Sequence, residues 1–161
     1  IMNFSSKIGV SPLLLNAVEK TNQQQIEQII KLIEKHCGNL KGKNISILGL
    51  AFKSKTDDIR DSISLKIIEK LLKKQAKVIV HDPMAIENVR KIFKSKIKYA
   101  NSISNALKDS YCGVIMTAWP EYSKITNINI KNMKKRIIID SRRILKNSKL
   151  DCTYNAIGIG N

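Results

Sequence analysis

The sequence predicts an α/β fold, in which a Rossmann-like three-layer domain with a mostly parallel sheet follows one long α-helix. Three observations predict it. Apolar runs of strand length, such as residues 45–50 and 113–117, alternate along the chain with segments of helical periodicity. The runs are nearly continuous, as in strands that are buried on both faces of a parallel sheet. Strand, helix and strand in that order form a right-handed parallel crossover.

The first predicted element is a long helix between Ser11 and Gly38. Ser11 and Pro12 combine an N-cap with a proline in the first helical position, and Gly38 suits the position just beyond a helix end. The apolar residues in between have helical spacing and are Leu14, Val18, Ile26, Ile29, Ile30 and Ile33. We therefore assign residues 1–38 to this helix and residues 39–161 to the α/β domain.

The α/β domain begins with a strand, a helix and a second strand. The strand at residues 45–50 is an apolar run that enters a glycine turn. Asp61 or Ser62 is a good N-cap for the helix at residues 62–75. The apolar positions on its buried face are Ile63, Ile67, Leu71 and Leu72. The strand at residues 77–81 follows at once, which completes the first crossover.

The same alternation continues to the end of the chain. Helices are predicted at residues 85–93, 102–107 and 121–125. Strands are predicted at residues 97–99, 113–117, 136–140 and 154–159. Because strands that are buried on both faces need helices above and below them, this order predicts a doubly wound sheet.

The polar loop after the first strand carries two residues that could bind an anion. Lys53 and Arg60 lie in this loop, ahead of a helix whose first N–H groups face the same region. Arginine can grip a phosphate with two parallel hydrogen bonds, and lysine supplies a point charge. From spacing alone, a solvated loop stabilised by its aspartates is slightly favoured. The loop is not a dinucleotide fingerprint, because Ala51 and Ser54 replace the second and third glycines of G-x-G-x-x-G.

The longer sequence motifs are more specific than the glycine turn. They are Leu-Gly-Leu-Ala-Phe-Lys at 48–53, Thr-Asp-Asp-Ile-Arg-Asp-Ser at 56–62, Val-Ile-Val-His-Asp-Pro at 78–83, Thr-Ala-Trp-Pro-Glu at 117–121 and Ile-Asp-Ser-Arg at 139–142. Asn22 and Gln25 also form an N-x-x-Q in the first helix. In this order, the motifs resemble the end of the central helix and the C-terminal, sugar-nucleotide-binding domain of the UDP-glucose 6-dehydrogenases. The GDP-mannose and UDP-N-acetylhexosamine dehydrogenases are relatives in the same family.

The resemblance implies roles for four residues. Phe52, Lys53 and Arg142 are expected to contact a UDP-sugar, and Arg60 is expected to reach NAD held on a separate N-terminal domain. Arg143 stands where the family commonly has another residue, which leaves open whether it or Arg142 faces the ligand. Trp119 is expected to pack in the core or in the wall of the ligand loop. The long helix is expected to form a homodimer.

The resemblance also implies where the chemistry takes place. In this family, the nucleophile is a cysteine within G-x-C-x-x-K-D, upstream of the central helix, and the full enzyme oxidises the C6 hydroxyl of UDP-glucose to a carboxylate with NAD. That motif does not occur in these 161 residues. We therefore expect no catalytic residue here and no activity from the chain alone. Alternatives are a GDP-mannose or UDP-N-acetylhexosamine dehydrogenase, an inactive remnant that only binds nucleotide, and a basic binding module.

Composition excludes several other classes of protein. The net charge is +16, but only five of the 29 basic residues are arginine and the lysines are spread throughout, so we expect no specific nucleic-acid partner. The three cysteines are Cys37, Cys112 and Cys152, and their wide spacing favours neither a disulfide framework nor a metal site. Without a secretory signal or an apolar run of roughly 20 residues, a cytoplasmic protein that makes no membrane contact is expected.

Overall fold

A computed structural model describes residues 13–157. In chain order, its elements are α1 (Leu13–Cys37), β1 (Asn44–Leu48), α2 (Ile63–Lys73), β2 (Lys77–His81), α3 (Ile86–Phe93), β3 (Lys98–Tyr99), α4 (Ile103–Leu107), β4 (Cys112–Ile115), α5 (Asn127–Ile130), β5 (Ile137–Asp140) and β6 (Thr153–Ala156). Two short 3₁₀ helices lie between these elements, at Lys94–Lys96 after α3 and at Tyr122–Lys124 after β4. The predicted α/β fold is confirmed.

The six strands form one sheet in the order β3-β2-β1-β4-β5-β6, and every neighbouring pair is parallel. Ile47 on β1 is flanked by Val80 on β2 and Val114 on β4. The chain moves outward in one direction from β1 to β3 and in the other from β4 to β6. Right-handed crossovers therefore place helices on both faces, and a crevice for ligands forms where the direction reverses, at the carboxyl ends of β1 and β4.

Helix α1 has two different halves. Its later turns bury Ile26, Ile30 and Ile33 in the core of the domain, and the helix ends as predicted, with Gly38 at a φ of 68°. Ion pairs of 2.7 Å, Glu27 with Lys70 and Glu34 with Lys74, connect it to α2 and its C-terminal neighbour. The first turns instead expose large apolar side chains, at Leu13, Leu14 and Val18. Within residues 13–157, no helix is long and apolar enough to span a membrane.

The largest error of the sequence-based assignment lies between β4 and β5. The helix predicted at residues 121–125 is a single 3₁₀ turn, Tyr122–Lys124, because the fully buried Tyr122 anchors the segment to β2. The sequence analysis missed α5 (Asn127–Ile130), whose first turn is closed by a capping box between Thr126 and Asn129. The predicted N-cap at Ser11 and Pro12, and the end of the last strand at residues 158–159, lie outside the described residues.

Candidate functional site

The turn after β1 approaches the segment after β4 so closely that only glycine fits. Gly49 has a φ of 98°, and a Cβ atom on it would lie 2.6 Å from the backbone nitrogen of Thr117. The Thr117 hydroxyl donates a 2.7 Å hydrogen bond to the carbonyl of Ala51, which fixes the turn from the other side. Gly49 is therefore required by this close approach and by its positive φ.

The side chain of Asp82 organises this edge of the sheet. It directly follows β2 and is only 4% exposed. Its Oδ2 accepts hydrogen bonds from the backbone N–H groups of Leu50 (2.7 Å) and Ala51 (3.1 Å) and from Nε1 of Trp119 (3.0 Å). Its Oδ1 accepts two more from the backbone N–H groups of residues 84 and 85, at 2.9 and 2.8 Å. One buried carboxylate thus holds three segments of chain.

Asp82 also occupies the place where a dinucleotide-binding domain would receive a phosphate. In such domains, the N–H groups of the first βα turn face the diphosphate. Here the N–H groups of Leu50 and Ala51 are directed at the chain's own carboxylate. The turn does not fit NAD, which agrees with the missing second and third glycines of the fingerprint.

A cavity of about 370 Å³ opens beside this turn, at the point where the sheet changes direction. Its walls come from the turn after β1, the start of α2, the carboxyl ends of β4 and β5, and one residue of α1. The lining residues are Asn22, Ala51, Phe52, Asp61, Ser62, Ile63, Ser64, Met116 and Arg142. The volume falls in the range of small-molecule sites.

The start of α2 lacks a side-chain cap. Ser62 is the residue before the helix, as predicted, but its hydroxyl donates a 2.6 Å hydrogen bond to the carbonyl of Leu50 and makes no cap. The hydroxyl of Ser64 similarly donates to the carbonyl of Gly49, at 2.9 Å. These bonds attach the helix to the β1 turn and leave the N–H groups of Ile63 and Ser64 for a ligand in the cavity, whereas that of Leu65 donates to the carbonyl of Ser62.

Arg142 is held in the cavity wall by the carboxyl ends of two strands. Its backbone N–H donates to Oδ1 of the fully buried Asp140 (2.9 Å), and its Nε donates to the carbonyl of Met116 (2.6 Å). The other oxygen of Asp140 accepts from the hydroxyl of Tyr154 (3.0 Å). Within residues 13–157, the terminal guanidinium nitrogens of Arg142 have no protein acceptor. The cavity therefore presents a fixed cation opposite uncapped helix N–H groups, which is an anion-binding arrangement.

The comparisons with known proteins identify the family of this fold and cavity. The sequence profile described as "UDP-glucose/GDP-mannose dehydrogenase family, UDP binding domain" matches residues 46–147. The UDP-glucose 6-dehydrogenase of Haloferax volcanii is 39% identical over 85% of this chain, and that of Bacillus subtilis is 31% identical over 98%. The solved UDP-glucose dehydrogenase of Pyrobaculum islandicum superposes on 96% of the chain with a TM-score of 0.83 and 29% identity.

The chain belongs to the UDP-glucose/GDP-mannose dehydrogenase family. The predicted resemblance is confirmed. The chain spans about a third of each relative's length: 31% of the H. volcanii protein, 35% of the B. subtilis protein and 34% of the P. islandicum chain. The match to the UDP binding domain includes the β1 turn, the start of α2 and Arg142.

The structure brings two of the four residues predicted from this family resemblance into the cavity wall. Phe52 and Arg142 line it, and Phe52 is 56% exposed. Lys53 is exposed and follows Phe52 directly, outside the lining. Arg60 makes a two-pronged ion pair with Asp58, at 3.0 and 2.7 Å, whose hydrogen bonds lower the pKa of that carboxyl to about 2. The ligand contacts of all four residues stay predictions.

Arg143 and the three cysteines are not among the residues that line the cavity. Nε of Arg143 donates to the carbonyl of Ile157, at 2.9 Å, so its side chain is engaged away from the cavity that Arg142 lines. Cys37 and Cys112 are buried and Cys152 is half-buried. Among residues 13–157, no three His, Cys, Asp or Glu side chains are placed to hold a metal ion.

The half-buried His81 and the fully buried Tyr122 form a pair beneath the β1 turn. The Tyr122 hydroxyl donates to the carbonyl of His81 (2.9 Å) and also lies 3.0 Å from its Nδ1. When the hydroxyl donates to the carbonyl, its contact with Nδ1 is a hydrogen bond only if Nδ1 carries the imidazole proton, and we assign the tautomer on that ground. Burial lowers the pKa of His81 from its ordinary value of 6.5, and the charges of Asp82 and Glu121 only partly oppose this. His81 is therefore neutral at pH 7.

We expect His81 to make the protein less stable in mild acid. Its pKa is lower in the folded state, so the unfolded chain binds more protons once the pH falls below 6.5, and the free energy of unfolding decreases until the pH passes the folded pKa. In His81→Asn, the amide can still donate to Tyr122 but does not titrate. Thermal unfolding at a series of pH values should show a steeper decline for the wild type. Equal slopes for both proteins would contradict this assignment.

Proposed function

We propose that this chain is the C-terminal, UDP-sugar-binding part of an NAD-dependent UDP-glucose 6-dehydrogenase, which converts UDP-glucose to UDP-glucuronate. The observation that carries the proposal is the cavity in which Arg142 faces the uncapped start of α2. A nucleoside diphosphate carries negative charge on adjacent phosphates and suits such a site. Membership of a family with a UDP binding domain supports the choice of nucleotide.

The residues around the cavity have separate roles in this proposal. The guanidinium of Arg142 and the first N–H groups of α2 bind the diphosphate. Phe52, which is exposed beside them, supplies an aromatic surface for the apolar face of the ligand. Lys53, which is exposed and directly follows Phe52, adds positive charge for the phosphates in this proposal.

NAD belongs to another part of the enzyme in this proposal. The turn after β1 does not fit a dinucleotide, because Asp82 occupies its N–H groups. Arg60, whose side chain in its ion pair is 87% exposed, would reach NAD from the neighbouring N-terminal domain. NAD would accept hydride in the full enzyme, and the chain alone is proposed to be inactive, since none of its three cysteines lines the cavity.

The exposed apolar start of α1 supports the expected contacts with other chains or domains. Leu13 and Leu14 are 76% and 77% exposed, and Val18 is 51% exposed on the same helix. Exposed apolar surface of this kind is usually covered by a partner. We propose that it is covered by the N-terminal domain and by a second copy of the chain. The cytoplasmic location expected from the sequence stays a prediction.

Calorimetry on the isolated chain tests the nucleotide. We expect UDP and UDP-glucose to bind weakly, because only part of the pocket is present, and to bind in preference to GDP-mannose. A titration with heparin is the control for nonspecific electrostatic binding, since a chain of net charge +16 attracts any polyanion at low salt. Equal or tighter binding of GDP-mannose would assign the chain to the sister enzymes. Binding of heparin alone would support the basic-module alternative.

A further inference from the structure

A second cavity, of about 310 Å³, lies at the carboxyl ends of β2 and β3. It shares no lining residue with the first cavity, because Asp82 and the β1 turn separate the two. The residues on which its chemistry depends are His81, Pro83, Ile86, Arg90, Tyr99 and Asn101. The cavity therefore lies at the same edge of the sheet as the first cavity but away from the point where the sheet changes direction.

His81 gives this cavity a hydrogen-bond acceptor. Nδ1 carries the imidazole proton and is directed at the buried hydroxyl of Tyr122. The other ring nitrogen, Nε2, is therefore an unprotonated acceptor in the neutral ring, and His81 is a lining residue of the cavity. Within residues 13–157, Nε2 has no hydrogen-bond partner. A ligand that donates a hydroxyl proton would satisfy it.

Arg90 gives the same cavity a positioned cation. Its guanidinium stacks on the ring of Tyr99, 4.2 Å from the ring centre, and its Nε donates to Glu87 at 3.3 Å. Among the described residues, its terminal nitrogens have no acceptor and remain for an anion. Asn101 accepts from Asn105 (2.8 Å) through Oδ1, which leaves the Asn101 amide as a further donor at the rim.

We propose that this second cavity binds a pentose phosphate group, either as a free sugar phosphate or as part of a mononucleotide. In dinucleotide-binding domains, an acidic side chain at the end of the second strand accepts hydrogen bonds from ribose hydroxyls. Asp82 has that position here but is saturated by five N–H donors. Nε2 of the preceding His81 takes over as acceptor, and Arg90 binds the phosphate. Pro83 and Ile86 supply the apolar wall.

The test is calorimetry with ribose 5-phosphate in the presence of saturating UDP, which occupies the first cavity under the proposed function. Ribose 5-phosphate should bind at least tenfold more tightly than inorganic phosphate, and ribose alone should not bind. Adenosine monophosphate distinguishes the two sources: tighter binding than ribose 5-phosphate identifies a mononucleotide, and weaker binding a free sugar phosphate. Binding of ribose 5-phosphate in the absence of UDP that Arg142→Met weakens and Arg90→Met leaves unchanged would overturn the proposal, because the phosphate would then occupy the first cavity.

Two variants and a matched control locate the binding. Arg90→Met should weaken ribose 5-phosphate binding about tenfold or more, since a hydrogen bond to a charged group is lost. His81→Asn keeps the donor to Tyr122 and loses Nε2, so it should weaken ribose 5-phosphate and leave inorganic phosphate unchanged. Arg136→Met removes an arginine that is paired with Asp151 elsewhere and should have no effect. Equal losses in Arg90→Met and Arg136→Met would overturn the proposal, and if His81→Asn does not fold, this comparison decides alone.

The second-cavity test is independent of the proposed function. If UDP does not bind, the titrations are repeated without it, and the Arg90 and His81 variants still decide whether the second cavity binds ribose 5-phosphate. If UDP binds but ribose 5-phosphate does not, the proposed function is supported and the proposal for the second cavity is wrong.

Discussion

Asp82→Ala should lower the free energy of unfolding by about 3 to 5 kcal/mol, because several buried N–H donors lose their acceptor at once. The variant leaves five N–H donors at a nearly fully buried position without their acceptor. Each unsatisfied buried donor costs about 1 to 3 kcal/mol, and local rearrangement or entering water recovers part of the sum. Urea denaturation followed by circular dichroism measures the change.

Two further variants distinguish the buried carboxylate from an ordinary acidic residue. Asp82→Asn keeps one acceptor oxygen but places an NH₂ group against N–H donors. Its loss of free energy of unfolding should therefore be measurable but smaller than that of Asp82→Ala. Asp151→Ala removes a surface partner of Arg136 and should cost at most about 1 kcal/mol. If Asp82→Ala were no more destabilising than Asp151→Ala, the carboxylate would not hold the three segments together.

The parts of the fold that the sequence could predict are those that depend on burial alone. The strand at residues 77–81 is observed as Lys77–His81, and the helix predicted at residues 85–93 is observed as Ile86–Phe93. In both, an apolar pattern of the correct period reflects contact with the sheet core, which the sequence records directly. Tyr122 shows the limit, because its long-range bonds to His81 reduce a predicted helix to one 3₁₀ turn.

The polar contacts of the site could be predicted only where they are local. Arg60 and Asp58 are two residues apart, and their pairing follows the preference for a loop stabilised by its own aspartates. Ser62 was expected to cap α2, but its hydroxyl donates to the carbonyl of Leu50, which it meets only because the loop between β1 and α2 folds back on itself. Asp82 similarly selects partners from three segments. A sequence shows which polar groups are available, and the tertiary structure determines which of them meet.

Arg142→Met should weaken UDP binding to the isolated chain by about tenfold to a hundredfold. Among the described residues, Arg142 supplies the only guanidinium in the lining of the first cavity, and a hydrogen bond to a charged phosphate contributes about 1.5 to 3 kcal/mol. The free energy of unfolding should fall by no more than about 1.5 kcal/mol, because this exposed side chain loses one hydrogen bond, from its Nε to the carbonyl of Met116. Isothermal calorimetry with UDP, together with a thermal unfolding control, measures both effects.

Arg143→Met is the matched control, since this neighbouring arginine donates to the carbonyl of Ile157 and does not line the cavity. Its UDP affinity should equal that of the wild type. The UDP affinity of Arg142→Lys should be intermediate. Lysine keeps the charge, but it cannot both donate to the carbonyl of Met116 and present two further nitrogens to a phosphate. If Arg143→Met weakened UDP binding and Arg142→Met did not, the ligand would lie on the β6 side of the turn. The fixed guanidinium beside Met116 would then have a purely structural role, in joining β4 to β5.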